Sequence, residues 1–537
     1  MKLTKEGIRE TAAWQKAGIT LPPYDVEAVT QRAVEAPGWV HFGIGNIFRV
    51  FIGGIADSLI REGEMDRGIT CVETFDYDVV DQIYAPFDNL SLSVTLFSDG
   101  HVDKRVIGAL AEAVKADNRD EAAWNRLKEI FVSPSLQIVS FTITEKGYAL
   151  RGSDGEYLNY VKADLENGPD HVTGAMGIVT ALLYERFRAG GCPVALVSMD
   201  NVSHNGDKLK ASVKETASVW AQKNLADPAF LSYVNDEKKV SFPITMIDKI
   251  TPRPSTEIAD ALEQDGLENM QPVITSKRTY IAPFVNAEKP QYLVVEDSFP
   301  NGRPALEKAG VYMADRDTVN KSERMKVTVC LNPVHSALGP YGVLLGHEYF
   351  ADNMSDPELL KLANLVSYHD GFPVLEDPGI LSPEAFMEEL MQDRFPNVYL
   401  GDTSMRMCVD ESMGVPFRFG ETIKAYVAKD GNACALKGIP VALAGWLRYF
   451  LAVDDEGTPY ELASDPLADE ITSHMEGIVI GQPESVGGKL RPILSNERIF
   501  GIDLYEAGIG EKIEEIYTAQ TEGKGAVRAA LKKYLAD

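Results

Sequence analysis

Long apolar runs, cysteine pairs and positive charge are all scarce in this sequence, and each scarcity closes off a class of function. The most apolar stretch, Gly438 to Val453, falls short of the ~20 residues a membrane helix needs and contains Arg448. The first residues, MKLTKEGIRETAAWQ, alternate charge and lack the apolar centre of a signal peptide. Five cysteines (Cys71, Cys192, Cys330, Cys408, Cys434) are odd in number, widely spaced and without a CxxC. That pattern predicts buried thiols in a reducing compartment rather than a disulfide framework or a structural zinc site, and a cytoplasmic protein is expected. Lys+Arg 52 against Asp+Glu 80 leaves a formal net charge of −28. Such a surface repels phosphate backbones and anionic bilayers, so neither nucleic acid nor membrane is an expected partner. An anionic substrate needs particular Arg or Lys side chains to reverse the local field. HExxH, clustered Asp/His ligand sets and GxxxxGK[ST] are also missing, so no metal site and no P-loop chemistry are expected.

What remains is an ordinary globular composition, 45% hydrophobic and 25% charged over 537 residues, with no fixed-period repeat and no low-complexity tract. The N-terminal half alternates strand-like and helix-like segments. Trp39–Phe42 leads through a glycine turn to an amphipathic run from Ile47 to Arg61, then to Ile69–Val72; the apolar runs 136–144 and 194–199 flank a helical stretch from Met176 to Arg188. This alternation predicts an α/β fold with a parallel sheet covered on both faces. Helical patterns dominate after about residue 300: Asp356 to Tyr368, Pro383 to Leu390, Ile439 to Val453 and Lys524 to Leu535. The expected architecture is a Rossmann-type doubly wound domain over 1–295 and a mostly α-helical domain over 296–537. Their boundary falls in the Pro/Asn/Glu-rich stretch from Asn286 to Arg303.

The segment His41-Phe42-Gly43-Ile44-Gly45-Asn46-Ile47-Phe48 sits where the first strand meets the first helix. Gly43 permits a tight turn, and Gly45 lets backbone approach a pyrophosphate on the helix N-terminus. Phe48 stands where the third glycine of GxGxxG belongs. Glu73 ends the next strand, 28 residues after Gly45 rather than the usual ~20. An acid there chelates the ribose hydroxyls of NAD and repels a 2′-phosphate; Asp76 and Asp78 are competitors for the role.

A second cluster, Glu323, Lys326, Asn332 and His335, packs an acid, an amine, an amide and an imidazole into 13 positions. Oxidation of a secondary alcohol needs a base for the hydroxyl proton and donors for the developing alkoxide. Lysine serves as that base when desolvation or nearby cations bring its pKa towards neutrality. The alternative is a helix with a solvated lysine and a core histidine.

Several segments, in order, resemble the polyol-specific long-chain dehydrogenase (mannitol dehydrogenase) family, which includes mannitol 2-dehydrogenases and fructuronate and tagaturonate reductases. They are the Gly43-Ile44-Gly45 turn with Phe48, Thr142 to Tyr148, Ser198-Met199-Asp200-Asn201 with Asn205-Gly206, Phe242-Pro243 with Met246 to Pro252, Val295-Glu296-Asp297 with Gly302-Arg303-Pro304, Lys326…Asn332…His335, and Arg394-Phe395-Pro396-Asn397. The resemblance implies a zinc-independent, NAD-linked oxidoreductase, nearest in look to the fructuronate reductases that interconvert D-fructuronate and D-mannonate. It implies Lys326 as acid/base, Asn201, Asn332 and His335 as holders of the reacting oxygen, Asp248 as a substrate carboxylate and Glu323 as the gate for proton exit. Gly43, Gly45, Asn46, Phe48, Glu73, Thr144 and Lys146 are the expected cofactor contacts. Arg394 and Arg418 are candidates to clamp a substrate carboxylate, because a planar fork binds one bidentately; structural ion pairs are the alternative.

Two departures from the family pattern stand out. Lys326 is six residues before Asn332, where five is common. On an ideal helix at about 100° per residue, Asn332 lies about 240° and His335 about 180° from Lys326, so the three do not converge. A π-bulge or a break at Pro333 is therefore predicted. Many relatives also carry a lysine where Gly414 stands. A mannitol- or arabitol-type polyol dehydrogenase, a tagaturonate reductase and a non-catalytic NAD(H)-binding sensor are the rival readings.

Overall fold

The computed structural model describes residues 1–536 and divides the chain into two units, Met1–Asn320 and Lys321–Asp537. The first is built on six strands: β1 (Trp39–Phe42), β2 (Ile69–Glu73), β3 (Leu110–Lys115), β4 (Ile138–Phe141), β5 (Val194–Ser198) and β6 (Val240–Ser241). All five pairings are parallel, in the order β3-β2-β1-β4-β5-β6. This is the order of a dinucleotide-binding doubly wound sheet. The apolar runs of the sequence are the strands buried on both faces. In β4, Val139 and Phe141 enter one core with helices Glu121–Val132 and Ala175–Arg188, while Ile138 enters the other with helix Gly53–Arg61. Strand order reverses between β1 and β4, so the loops leaving Phe42 and Phe141 flank the crevice where such sheets bind ligands.

Three smaller sheets complete this unit. Ile19–Thr20, Val102–Ile107, Ser91–Leu96 and Phe284–Glu288 form one; Val273–Ile274 and Tyr280–Ile281 form a short hairpin. In the third, Tyr292–Glu296 lies antiparallel to Thr245–Asp248, and Tyr312–Ala314 adds in parallel beside it. These pairings carry the first unit past the expected break at 295/296 to Asn320. The polar stretch from Asn286 to Arg303 holds strands of a sheet and is not a linker.

In the second unit no strand is found among the described residues, and helices pack around Gly438–Tyr449, every residue of which is buried. This is the apolar stretch of the sequence, and Arg448 within it donates to the Val453 carbonyl at 2.8 Å. Buried Asp370 accepts from the Lys437 and Ile439 amides (3.0 and 2.7 Å), placing negative charge at this helix's N-terminus. Helix Asn332–Leu344 lies against it closely enough that a Cβ on Gly445 would come within 2.3 Å of the Tyr341 ring. Tyr341 Oη donates to the Val441 carbonyl (2.8 Å) and so fixes the register of the two helices.

Among the described residues no helix is long and apolar enough to cross a membrane. The cysteines are all unpaired: Cys71, Cys330 and Cys408 are buried, whereas Cys192 is partly exposed and Cys434 exposed, so the expectation of buried thiols holds for three of the five.

Candidate active site

The glycine turn is fixed by its surroundings. Gly43 has φ +89°, its N–H donates to the Val72 carbonyl (3.0 Å), and a Cβ there would stand 2.1 Å from the Thr142 carbonyl oxygen. Only glycine fits. Gly45, by contrast, has nothing within 4 Å of where a Cβ would be, so its backbone is open to a ligand. Beneath the turn His41 stacks on Phe48 (centroids 4.1 Å, 12°) and contacts Ser140 Oγ (2.6 Å) and Thr142 Oγ1 (2.8 Å). Burial pushes the His41 imidazole down to about 3. Phe48 is therefore a support under the turn and does not face the crevice. Asn46 is likewise engaged away from it, its Oδ1 accepting from Arg49 Nη2 (2.8 Å).

A cavity of about 650 Å³ opens at the point where the strand order reverses, lined by Gly43, Gly45, Glu73, Asp76, Thr144 and Lys146 among others. Glu73 Oε1 accepts from the Thr74, Phe75 and Asp76 amides (3.0, 2.9 and 3.3 Å), leaving Oε2 with one long contact, 3.4 Å from the Ile44 amide. Burial raises the Glu73 carboxyl above its ordinary value, against the pull of those N–H groups. Asp76 is also buried. Its Oδ2 accepts from Thr275 Oγ1 (2.6 Å) and its Oδ1 has no partner. On the other wall Thr144 holds φ +63°, a left-handed conformation rare for a β-branched residue. Asp200 keeps it there: the Ile143 and Thr144 amides (2.9 and 3.0 Å) and Tyr148 Oη (2.6 Å) all donate to its carboxylate. Asp200 was quoted in the Ser-Met-Asp-Asn motif but not singled out; its sequence signal is the strand end it shares with Asn201. A glycine cradle with one open face, two acids bearing spare oxygens and a cavity of this size fit a nicotinamide dinucleotide.

Asn201 follows in an exposed bend, and Asp248 closes the strand Thr245–Asp248 in a buried position. Asn205 joins these two segments, its Nδ2 donating to the Asp200 and Thr245 carbonyls (3.0 and 3.1 Å) and its Oδ1 accepting from the Thr245 amide (3.0 Å).

In the second unit the extra residue between Lys326 and Asn332 has a structural outlet. Helix Arg316–Met325, carrying Glu323 one turn before the lysine, passes into a π-helical turn, Lys326–Cys330, in which the Leu331 amide donates to the Lys326 carbonyl (3.0 Å). Helix Asn332–Leu344 starts immediately after, with Pro333 in its first turn. A π-turn absorbs one residue. Asn332 then lies about 140° and His335 about 80° from Lys326, so the arc that holds all three narrows from about 180° to about 140°, with His335 moving towards the lysine. Pro333 has no N–H for the Val329 carbonyl. Ser367 Oγ donates to that carbonyl instead (3.2 Å), and Thr422 Oγ1 donates to the Thr328 carbonyl (3.3 Å). Lys326 is buried at 2% exposure, and Asn332 Oδ1 is buried without a hydrogen-bond partner.

His335 is partly buried, edge-on to Phe350 and Phe395 (centroids 4.8 and 5.2 Å). Desolvation, with the charges of Arg394, Arg418 and Arg406, pushes its imidazole down to about 3, so it is a neutral donor. Arg394 is buried at the end of another π-turn, Leu390–Arg394. Arg418 has an internal partner: Nη1 donates to Glu411 Oε2 and to Ser336 Oγ (3.0 Å). Glu411 is buried, and desolvation raises it to about 7 although Arg418 and Ser336 pull the other way. The sequence did not single out Glu411, because an acid opening a helix reads as a solvated one. Among the described residues no group of His, Cys, Asp and Glu gathers as a metal site would require.

A parallel sheet in this order, a glycine turn at the crevice and a helical unit bearing lysine, amide and neutral imidazole within one arc of a helix define a nicotinamide-dependent dehydrogenase. Comparison with known proteins makes the class specific. Residues 37–308 match the mannitol dehydrogenase Rossmann domain and residues 318–520 the mannitol dehydrogenase C-terminal domain. The chain is 49% identical to a D-mannonate oxidoreductase of Thermotoga maritima over 99% of both chains. It is 31% identical to a polyol:NADP oxidoreductase of Gluconobacter oxydans over 86% of this chain and 88% of that one. Among solved structures it is similar to mannitol 2-dehydrogenase of Pseudomonas fluorescens in a ternary complex with NAD and D-mannitol (TM-score 0.72, 27% identity, all of both chains). It is also similar to a substrate-free D-sorbitol dehydrogenase (TM-score 0.79, 27% identity, 96% of this chain and 98% of that one). The chain belongs to the mannitol dehydrogenase family. It is an NAD(H)-dependent oxidoreductase of the polyol and sugar-acid class.

Proposed function

We propose that this enzyme interconverts D-fructuronate and D-mannonate, with Lys326 as the general acid/base. The observation that carries the acid-sugar reading is the pair of guanidinium groups, Arg394 and Arg418, beside the neutral imidazole of His335. In a chain of net charge −28, guanidinium groups gathered beside one side chain are what a substrate carboxylate needs. The similarity to a D-mannonate oxidoreductase over the full length supports the same substrate.

NAD, when bound along Gly43, Gly45 and the acids Glu73 and Asp76, supplies the hydride acceptor. The protein's own residues handle the proton and the charge. In the oxidative direction Lys326, buried at 2% exposure, accepts the hydroxyl proton. Asn201, Asn332 and His335 donate to the substrate oxygen as negative charge builds, each good donor contributing ~3 kcal/mol. His335 donates without becoming an acid, because protonation there is suppressed far below neutrality. Asp248 accepts from a substrate hydroxyl, and Glu323 receives the proton as it leaves the lysine, one helical turn away.

The test is NADH oxidation measured with D-fructuronate, D-tagaturonate and D-fructose against a blank. The expected result is the highest kcat/KM with D-fructuronate, by at least tenfold. Equal or better turnover of D-fructose assigns the enzyme to neutral polyols, and NADH binding without turnover of any of the three assigns it to sensing.

A further inference from the structure

Gly414 and Glu411 stand on the helix Glu411–Arg418, and both bear on where the Arg418 guanidinium lies. A Cβ built on Gly414 would lie 2.5 Å from Arg418 Nε and 2.6 Å from Cζ. The arginine therefore folds back along its own helix into the space any side chain at 414 would occupy. The Gly414 φ is not left-handed, so a side chain at 414 would meet no backbone constraint and would displace the movable end of Arg418. At the far end of the fork, Nη1 donates to Glu411 Oε2 and Ser336 Oγ, and Ser336 directly follows His335 in helix Asn332–Leu344. The Nε–Nη2 edge makes no hydrogen bond to a described residue, and the side chain keeps 23% exposure. That edge has the two-donor geometry that matches a carboxylate.

Glu411 is 1% exposed, and its Oε1 has no partner. A buried carboxylate with one oxygen unsatisfied is destabilising by itself, so its ion pair with Arg418 has to be explained by something other than stability. It fixes one edge of the fork and leaves the other presented. Asp465, on the chain segment packed against this helix, receives the Ser412 amide (2.8 Å) and Ser412 Oγ, and so holds the helix's first turn in place.

We propose that Gly414 and Glu411 are specificity-determining positioning residues: Gly414 gives Arg418 room to fold back, and Glu411 clamps Nη1 so that the Nε–Nη2 edge reads the carboxylate of a sugar acid. This rests on the acid-sugar reading above. A bulkier residue at 414 displaces the fork, and the carboxylate then loses a bidentate partner while the proton-transfer groups on the neighbouring helix remain.

The experiment is steady-state reduction of D-fructuronate by the full-length enzyme and its Gly414→Ala, Glu411→Ala, Glu411→Gln and Arg418→Ala variants, with melting temperatures recorded alongside. Gly414→Ala and Glu411→Ala raise KM at least tenfold and change kcat less than threefold. Glu411→Gln, which keeps an acceptor for Nη1, restores KM to within threefold of the wild type. If Arg418→Ala raises KM but Gly414→Ala does not, the positioning proposal is wrong and the acid-sugar reading stands. If Arg418→Ala itself leaves KM unchanged, both fall. Should Glu411→Ala fail to fold, the Gly414→Ala and Glu411→Gln pair decides: a KM that rises in neither or in both overturns the proposal.

Discussion

Gly43 shows how much one residue can be asked to do. Its φ of +89° disfavours any L side chain by ~1–2 kcal/mol, and the Thr142 carbonyl 2.1 Å from an added Cβ forces the β1 and β4 loops apart. Those two loops flank the crevice. Gly43→Ala is therefore expected to weaken NADH binding at least tenfold, measured by fluorescence titration. Gly45→Ala, with open space around its Cβ, is expected to fold with an unchanged melting temperature; an unaltered Kd for Gly43→Ala contradicts the cradle. Sequence alone pointed to both glycines because their spacing has a mechanical meaning. It pointed less well to residues whose role depends on burial. Phe48 occupies the third-glycine position but supports His41 from below, and Asp200 and Glu411 look like solvated acids until tertiary packing engages the first with the Ile143 and Thr144 amides and buries the second.

At the scale of elements, the π-turn Lys326–Cys330 reconciles an unusual spacing with a working site. The sequence carried the signal as a mismatch: six residues on a regular helix leave lysine, amide and imidazole pointing apart, and Pro333 marks where the hydrogen-bond ladder is already interrupted. Because the turn absorbs one residue, deleting Val327 is expected to produce an ordinary helix with the same three directions and a kcat/KM within about tenfold of the wild type. Inserting an alanine after Val327 rotates Asn332 and His335 by about 100° from Lys326 and is expected to lower kcat/KM more than 100-fold. The reverse order of these two effects contradicts the geometry. The parallel sheet was equally readable, since strands such as Ile138–Phe141 and Val194–Ser198 are continuous apolar runs. The sheet of Thr245–Asp248, Tyr292–Glu296 and Tyr312–Ala314 was not, because three-to-five-residue strands paired across long separations leave little local pattern. The domain boundary shifted to Asn320 for that reason.

For the whole molecule, a buried neutral histidine couples stability to pH. His41 is held down to about 3 in the fold and returns to about 6.5 on unfolding. Between those values the unfolded chain binds the extra proton, so His41's contribution is intact above about pH 6.5 and is lost as pH falls towards 3. The limiting slope is about 1.4 kcal/mol per pH unit. His41→Gln, which removes that titration, is expected to be less stable than wild type at pH 7 and to show a shallower fall in melting temperature from pH 6.5 to 4.5; parallel falls contradict the assignment. At the same scale a net charge of −28 does not exclude the proposed anionic substrate, because the charge is spread over the surface whereas Arg394 and Arg418 act beside His335.

The most direct measurement is the pH dependence of kcat/KM for D-mannonate oxidation in wild type and Lys326→Ala. With Lys326 as the base, the wild-type rate climbs with pH along a limb set by the lysine, and Lys326→Ala loses at least 100-fold at neutral pH together with that limb. Near wild-type turnover by Lys326→Ala, with the limb retained, would leave the proton to another group and contradict the mechanism.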